Sequence, residues 1–442
     1  MKNDRYGQKK SGIHTRVLRC YTEWASRYRA APVVTCVLVV CVVLLYYWLQ
    51  WRTISEFITA TNNGIFTDFT AHYYPMGRAI LSSKLPVFGY YYPAVFALFL
   101  VPFGALPAGT AVICWGIFQV ALIILFWYLS FLKLLKTAAH KMALYLLLFL
   151  TSIPLLDNFS WGQVSIFSTC LILLTFYLYR EKRRVYAGIV LALATSINCY
   201  PALFLVYFLL KRDYRFLVAY AGSMLCMFCI LPAVILGPEG WVRFHRASIG
   251  AMFYAPWVKQ EIASQYISNV LFRLSGMLGA GMSNFTYLLT RAAGFLLLLF
   301  NIRLIRLIQR KRIHGEAVLS MITLFLSVPF VISTSWPHYF VFLPFCQAAL
   351  YLQIRSAYRG RGYFTILTGF ICLSTVFSNV LFLNLFSSLS VYNEMGMLFA
   401  SNLFLLLALH RIAAVAEEDK SGINAGQDGA PGRLSAALPG SG

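Results

Sequence analysis

The stretch Thr67–Pro93, TDFTAHYYPMGRAILSSKLPVFGYYYP, places Asp68, His72, Arg78, Lys84 and several tyrosines between two apolar segments. Asp68 and His72 are four residues apart, so a helix would set a carboxylate and an imidazole on one face. A carboxylate in that position can take a proton from an attacking hydroxyl. Arg78 and Lys84 offer charge to a phosphate, and the clustered tyrosines offer faces to a sugar ring. Each has an ordinary alternative. Asp68 could cap a helix N-terminus, the cations could touch lipid headgroups, and Tyr73, Tyr74 and Tyr90–Tyr92 could belong to an interfacial aromatic belt.

Two shorter motifs carry similar residues. Asp157-Asn-Phe-Ser-Trp-Gly-Gln163 follows one apolar run and precedes another. Ser335-Trp-Pro-His-Tyr339 puts His338 at a helix mouth, where an imidazole can equally be an ordinary polar interfacial group. Arg243, His245 and Arg246 lie in the segment 237–281, and Arg291 lies near one end of the helix that follows. Snorkelling to the interface is the ordinary alternative for Arg291.

These motifs have to be held by membrane helices. Of 442 residues, 60% are hydrophobic and 12% are charged, and apolar runs of helical length recur along the whole chain. The expectation is an all-α polytopic bundle of about ten to twelve membrane helices, with re-entrant or interfacial helices in the first external loop. The net charge of +22 does not point to nucleic acid. Lys and Arg cluster in short runs between apolar segments, such as Arg180–Arg184, Lys211–Arg215 and Arg303–Arg312, as cytoplasmic loops do. Of the 37 Lys and Arg, only Arg52, Arg78, Lys84, Arg243, Arg246, Lys259, Arg273 and Arg291 then fall outside or at the outer edge.

This topology divides the chain into three parts. Residues 1–30 form a basic cytoplasmic segment, 31–410 the membrane domain with external loops 52–92 and 237–281, and 411–442 a disordered cytoplasmic tail. Within the first loop, Ile54–Ala60 and Met76–Ser82 are expected to form short interfacial helices. Pro93–Pro107 is short for a span of about 20 residues. Were it to cross, the basic Lys133 loop would lie outside, so it is expected to be re-entrant.

Counting acids narrows the chemistry. Of fifteen Asp and Glu, this topology places only Glu56, Asp68, Asp157, Glu239, Glu261 and Glu394 outside. Asp68 and Asp157 alone sit in short elements rich in Tyr, Trp, His, Asn or Gln. His72, His245 and His338 are the external histidines. The ten cysteines are scattered through apolar runs, and the Cys226/Cys229 pair lacks partners at metal-site spacing. No metal or cofactor is expected.

The motifs in order resemble glycosyltransferase family 87. They are the external Asp68 with its tyrosines, Gly89-Tyr-Tyr-Tyr-Pro93, Trp161-Gly-Gln163, Ala187-Gly188 leading to Tyr200-Pro201, and Ser335-Trp-Pro-His-Tyr339. The family often carries Lys two residues before Tyr-Pro, where this chain has Asn198. The resemblance implies a membrane transferase of the GT-C type, similar to the mannosyltransferases of phosphatidylinositol mannoside synthesis. It implies a polyprenyl-phosphate sugar as donor, a lipid or glycan as acceptor, and a periplasmic site in a bacterial inner membrane. It makes Asp68 the general base. His72, Arg78, Tyr92, Asp157, Gln163, Arg243, Arg246, Arg291 and His338 are then the candidates for holding donor phosphate or sugar. A transporter or flippase, and a non-catalytic envelope-assembly protein, are the competing readings, because broken helices at membrane depth also suit transporters.

Overall fold

The computed structural model describes residues 31–52, 54, 65–82, 87–136, 141–250, 256–259, 261–357, 363–385 and 389–427. The basic N-terminal segment and nearly all of the expected Ile54–Ala60 helix lie outside them. Among the described residues there are helices and no strands, so the protein is an all-α polytopic membrane protein. Among the described residues, four helices are long and apolar enough to cross a bilayer: Ala108–Leu135, Tyr214–Leu236, Asn284–Arg310 and Met397–Ala414. Seven apolar helices are shorter, among them Ser165–Arg180 and Glu316–Val331. Leucines, valines and phenylalanines cover the outside of the long helices, as in Ile113, Val218 and Leu296, each more than half exposed. In water such faces would be costly; against acyl chains they are matched.

The first loop folds into the bundle. Its ordered part begins with a π turn at Phe69–Tyr73 that continues as the helix Tyr74–Leu81, close to the expected Met76–Ser82. Phe69 stacks on Trp115, with ring centres 4.6 Å apart, and Tyr73 packs edge-on to Phe96. Phe69, Tyr73, Met76, Tyr90, Phe96 and Trp115 are all buried in one aromatic core.

Pro93–Pro107 contains the helix Ala94–Gly104, started by Pro93. At 11 residues it is about 16 Å long, against a hydrocarbon core of about 30 Å. It packs instead against Tyr74–Leu81 at glycine contact distance. A Cβ on Gly77 would lie 2.4 Å from Leu100 O, and one on Gly104 would lie 2.4 Å from Gly77 C. Two glycines, one on each helix, thus fix the loop helix on the short apolar helix.

Two boundaries fall where neither local apolarity nor the expected tail would put them, while the break around Asn198 agrees with the broken-helix reading. The apolar run 142–156 is two helices, Met142–Leu150 and Ile153–Trp161. The break is held by an antiparallel bridge between Ser152 and Asn379, by Val380 N–H donating to Thr151 O at 2.8 Å, and by Asn379 Nδ2 donating to Thr151 Oγ1 at 2.8 Å. Hydropathy sees only the apolar run; the break depends on a partner more than two hundred residues away. The two pieces around Asn198-Cys-Tyr-Pro201 join through a 3-10 turn, Tyr200–Phe204. The last helix runs from Met397 to Gln427, past residue 410, where the tail was expected to begin.

Candidate active site

A cavity of about 860 Å3 opens where the first loop meets the ends of the helices Ile153–Trp161 and Asn284–Arg310 and the turn Pro337–Phe340. Asp68, His72, Tyr92, Asp157, Gln163, Arg291 and His338 all line it. Arg78, Arg243 and Arg246 do not. Arg78 is exposed on the far side of its helix, its guanidinium 6.0 Å from the Tyr74 ring centre. In Pro238–His245 it is Phe244 that turns inward, against Tyr90, leaving Arg243 and Arg246 exposed. His245 is packed among Phe228, Trp241 and Phe244, away from the cavity, and burial lowers its pKa.

The Trp161-Gly162-Gln163 turn sets the position of Gln163. Gly162 ends its helix at φ +68°, and a Cβ there would lie 3.0 Å from Phe66 and 3.1 Å from Trp115. Left-handed backbone and crowding both require glycine. Trp115 Nε1 donates to Gly162 O at 3.0 Å, and Gln119 Nε2 donates to Gln163 O at 2.9 Å. Asn158 Nδ2 holds Gln119 in turn at 3.1 Å.

Gln163 links the tyrosines to Asp68. Its Oε1 lies 2.8 Å from Tyr73 Oη and 2.9 Å from Tyr92 Oη, and the two hydroxyls are 2.9 Å apart. A carbonyl oxygen facing two hydroxyl donors leaves the amide nitrogen facing the other way. That nitrogen donates to Asp68 Oδ2. The Asp68 side chain caps no backbone N–H, so the N-cap alternative finds no support. Burial pushes the Asp68 carboxyl above the ordinary aspartate range, and the charge of Asp157 adds to that rise. His338, His72 and the Gln163 hydrogen bond pull against it. The result is a carboxylate more basic than usual, within the field of two imidazoles.

His72 is held over Gly89. Its Nδ1 is 3.1 Å from Phe88 O, and a Cβ on Gly89, at φ +84°, would lie 2.4 Å from the imidazole. On the opposite wall, His338 Nδ1 is 3.1 Å from Asp157 Oδ2, with side chains only 5% and 16% exposed. With Nδ1–H donating to the carboxylate, Nε2 is buried without a hydrogen-bond partner. Among the residues lining the cavity, Arg291 is the only Arg or Lys. It is exposed, near the N-terminal end of its helix. Asn198, where a lysine was the familiar residue, lines the cavity as a buried amide with no charge to offer. No group of His, Cys, Asp or Glu among the described residues could hold a metal.

Residues 90–334 match the model of glycosyltransferase family 87. The chain belongs to glycosyltransferase family 87. No curated protein and no solved structure matches it. As a family 87 member it is a membrane glycosyltransferase, which decides against the transporter and scaffold readings. The matched span begins at Tyr90, so it includes Tyr92, Asp157, Gln163 and Arg291. Asp68 and His72 precede it and His338 follows it, and the fold brings all three to the same cavity. The family 87 cavity also contains groups outside the expected donor set. Glu261, Tyr266 and Asn393 line it, and Tyr73, buried behind Tyr92, completes the Gln163 triangle. Glu261 stood out only as one of six external acids and Tyr73 only as one of the clustered tyrosines; no motif marked Tyr266 or Asn393.

Proposed function

We propose that the cavity transfers a sugar from a polyprenyl-phosphate carrier to a lipid or glycan hydroxyl, with inversion, and that Asp68 is the general base. The observation that supports this most is the setting of Asp68. It is a carboxylate with a raised pKa, oriented by Gln163, in a cavity large enough for a sugar phosphate and lined by tyrosines. In the reaction the acceptor oxygen bonds to the anomeric carbon while the bond from that carbon to the phosphate oxygen breaks. The hydroxyl proton passes to Asp68, and polyprenyl phosphate leaves with the electron pair. A single displacement inverts the anomeric centre and needs one base and no covalent carboxylate. The higher pKa makes Asp68 a better proton acceptor.

A phosphate leaving group requires cationic stabilisation more than a strong acid. His338 and Arg291, both lining the cavity, are the groups for that task. Asp157 acts on His338 as a positioning residue: its carboxylate accepts from Nδ1–H and fixes the ring in the wall of the cavity. Arg78, Arg243 and Arg246 drop out of the donor site, since none reaches the cavity. Mannose or another hexose or pentose fits the aromatic walls, where Tyr92 and Trp161 offer faces for the sugar. In this reading residues 31–410 form the catalytic domain of a bacterial inner-membrane enzyme, with the cavity on the periplasmic side, away from the basic loops.

The test is transfer of radiolabelled sugar from synthetic polyprenyl-phosphate mannose, with other polyprenyl-phosphate sugars in parallel, by purified protein in liposomes with extracted acceptor lipids. Product formation with inverted anomeric configuration supports the reading. A retained configuration would remove Asp68 from the role of base in a single displacement.

A further inference from the structure

The helix Asn284–Arg310 reaches two cavities. Arg291 lines the large one, and Arg306 and Arg310 line another, fifteen residues or about 22 Å farther along the helix. This second cavity has a volume of about 400 Å3 and lies against the turn at the end of Leu205–Lys211. Leu209, Leu210, Arg212, Gln309 and the two arginines line it. Three arginines thus face one space with no acid among the lining residues.

The acids near this end of the bundle are already engaged. Glu316 pairs with Lys211 at 2.7 Å and accepts from Tyr207 at 3.2 Å. Asp213 pairs with Arg184 at 3.2 Å, accepts from Tyr179 at 3.0 Å and caps Phe216 N–H. The positive charge of the cavity is therefore not neutralised from within. Gln309 Nε2 is buried there with no hydrogen-bond partner, a donor in want of an acceptor. Arg306 and Arg310 are one helical turn apart on one face, and Arg212 comes from the facing turn, held there by its left-handed backbone at φ +53°. Three arginines and an amide lining one space suit a tetrahedral oxyanion. Leu209, 52% exposed, and Leu210 form an apolar rim on the lipid-facing side.

We propose that this cavity binds a phosphate group, presented by the headgroup of an anionic membrane phospholipid whose acyl chains lie along the Leu209 face. Basic pockets between helices at a membrane surface favour such headgroups. The site is separate from the sugar-transfer cavity and would tie lipid composition at one face of the membrane to the helix that carries Arg291 at the other.

The test uses full-length protein in a neutral detergent, titrated with phosphatidylglycerol in one arm and inorganic phosphate in the other, with melting temperature as readout. The Arg306→Gln/Arg310→Gln variant is compared with Arg303→Gln/Arg312→Gln, which removes the same charge from positions outside the cavity. Arg212→Gln serves if the first variant does not fold. Phosphatidylglycerol should stabilise the unmodified protein and the control alike, while the cavity variant should need at least about ten times more lipid for the same shift. A shift by inorganic phosphate that the cavity variant loses also supports the site, with free phosphate as a second source. Equal lipid dependence in both double variants, or no shift by either ligand, would overturn the proposal.

Discussion

Replacing Asp157 with Asn tests how the far wall of the cavity works. The side chain keeps its shape, and the helix Ile153–Trp161 should be unaffected, because Asp157 contributes no backbone cap there. What changes is the contact at 3.1 Å with His338 Nδ1. A carboxylate oxygen accepts from Nδ1–H and fixes the ring; an amide can turn its NH2 there instead. A hydrogen bond to a charged group contributes about 1.5–3 kcal/mol, so its loss in the transition state should slow transfer by roughly 10- to 150-fold. The contact is little exposed, 5% on the imidazole and 16% on the carboxylate, so little discount for solvent screening applies. The assay is the turnover number with a saturating carrier-linked sugar, alongside the variants His338→Gln and the double variant. If the two residues act as one unit, the double variant should be about as slow as His338→Gln alone. Additive losses, or an Asp157→Asn rate within twofold of normal at equal protein level, would refute the positioning role.

Other consequences concern the neighbouring residues. Gly162→Ala should lower the melting temperature and impair transfer, since a left-handed position costs a non-glycine residue about 1–2 kcal/mol and the added Cβ presses on Phe66 and Trp115; a melting temperature equal to wild type would show that the turn relaxes freely. The Asp68 pKa is raised, so the base is lost as pH falls through that raised value, and the acid limb of the kcat/KM profile should lie above the ordinary aspartate value of about 3.9. An acid limb at or below that value would count against Asp68 as the base. The same shift means that the folded protein holds the Asp68 proton more tightly than the unfolded chain, so stability drops as pH rises through the folded pKa. Asp68→Asn removes that cost, and its melting temperature near pH 7 should equal or exceed that of the unmodified protein; a clear decrease would show that the carboxylate serves the fold. Leu278→Cys, 84% exposed, should react with an impermeant thiol reagent in intact cells in a cysteine-free background, and Arg183→Cys should not; the reverse pattern would invert the proposed orientation.

The sequence revealed membrane helices well because hydropathy and charge runs are local signals. Ser165–Arg180 and Arg184–Ile197, for example, are apolar stretches that meet at the basic run Arg180–Arg184. The break between Met142–Leu150 and Ile153–Trp161 was not legible, because Asn379 makes it from far along the chain. The cavity residues show the same division. Asp68, Asp157 and His338 could be selected because acids and histidines are scarce outside the membrane, but a separation of 181 residues gives no hint that Asp157 and His338 touch. Gln163 stood out through its Trp-Gly neighbours, while its closed triangle with Tyr73 and Tyr92 belongs to the packing of the first loop. Arg78, Arg243 and Arg246 were selected by sign and side of the membrane. Which way a helix turns its cations depends on the neighbour it buries, and for Pro238–His245 that is the contact between Phe244 and Tyr90.

The central claim is that Asp68 takes the proton of the acceptor hydroxyl. Asp68→Asn preserves the side-chain shape and an oxygen for the Gln163 amide to reach, and it cannot take a proton. The measurement is the rate of sugar transfer from the polyprenyl-phosphate donor by purified Asp68→Asn in liposomes, with donor binding measured on the same preparation. Loss of a general base costs about 10²–10⁴-fold, so the account predicts a rate lower by that factor with donor affinity retained. Transfer at a near-normal rate by well-folded Asp68→Asn would contradict it and leave Asp157 as the first carboxylate to test.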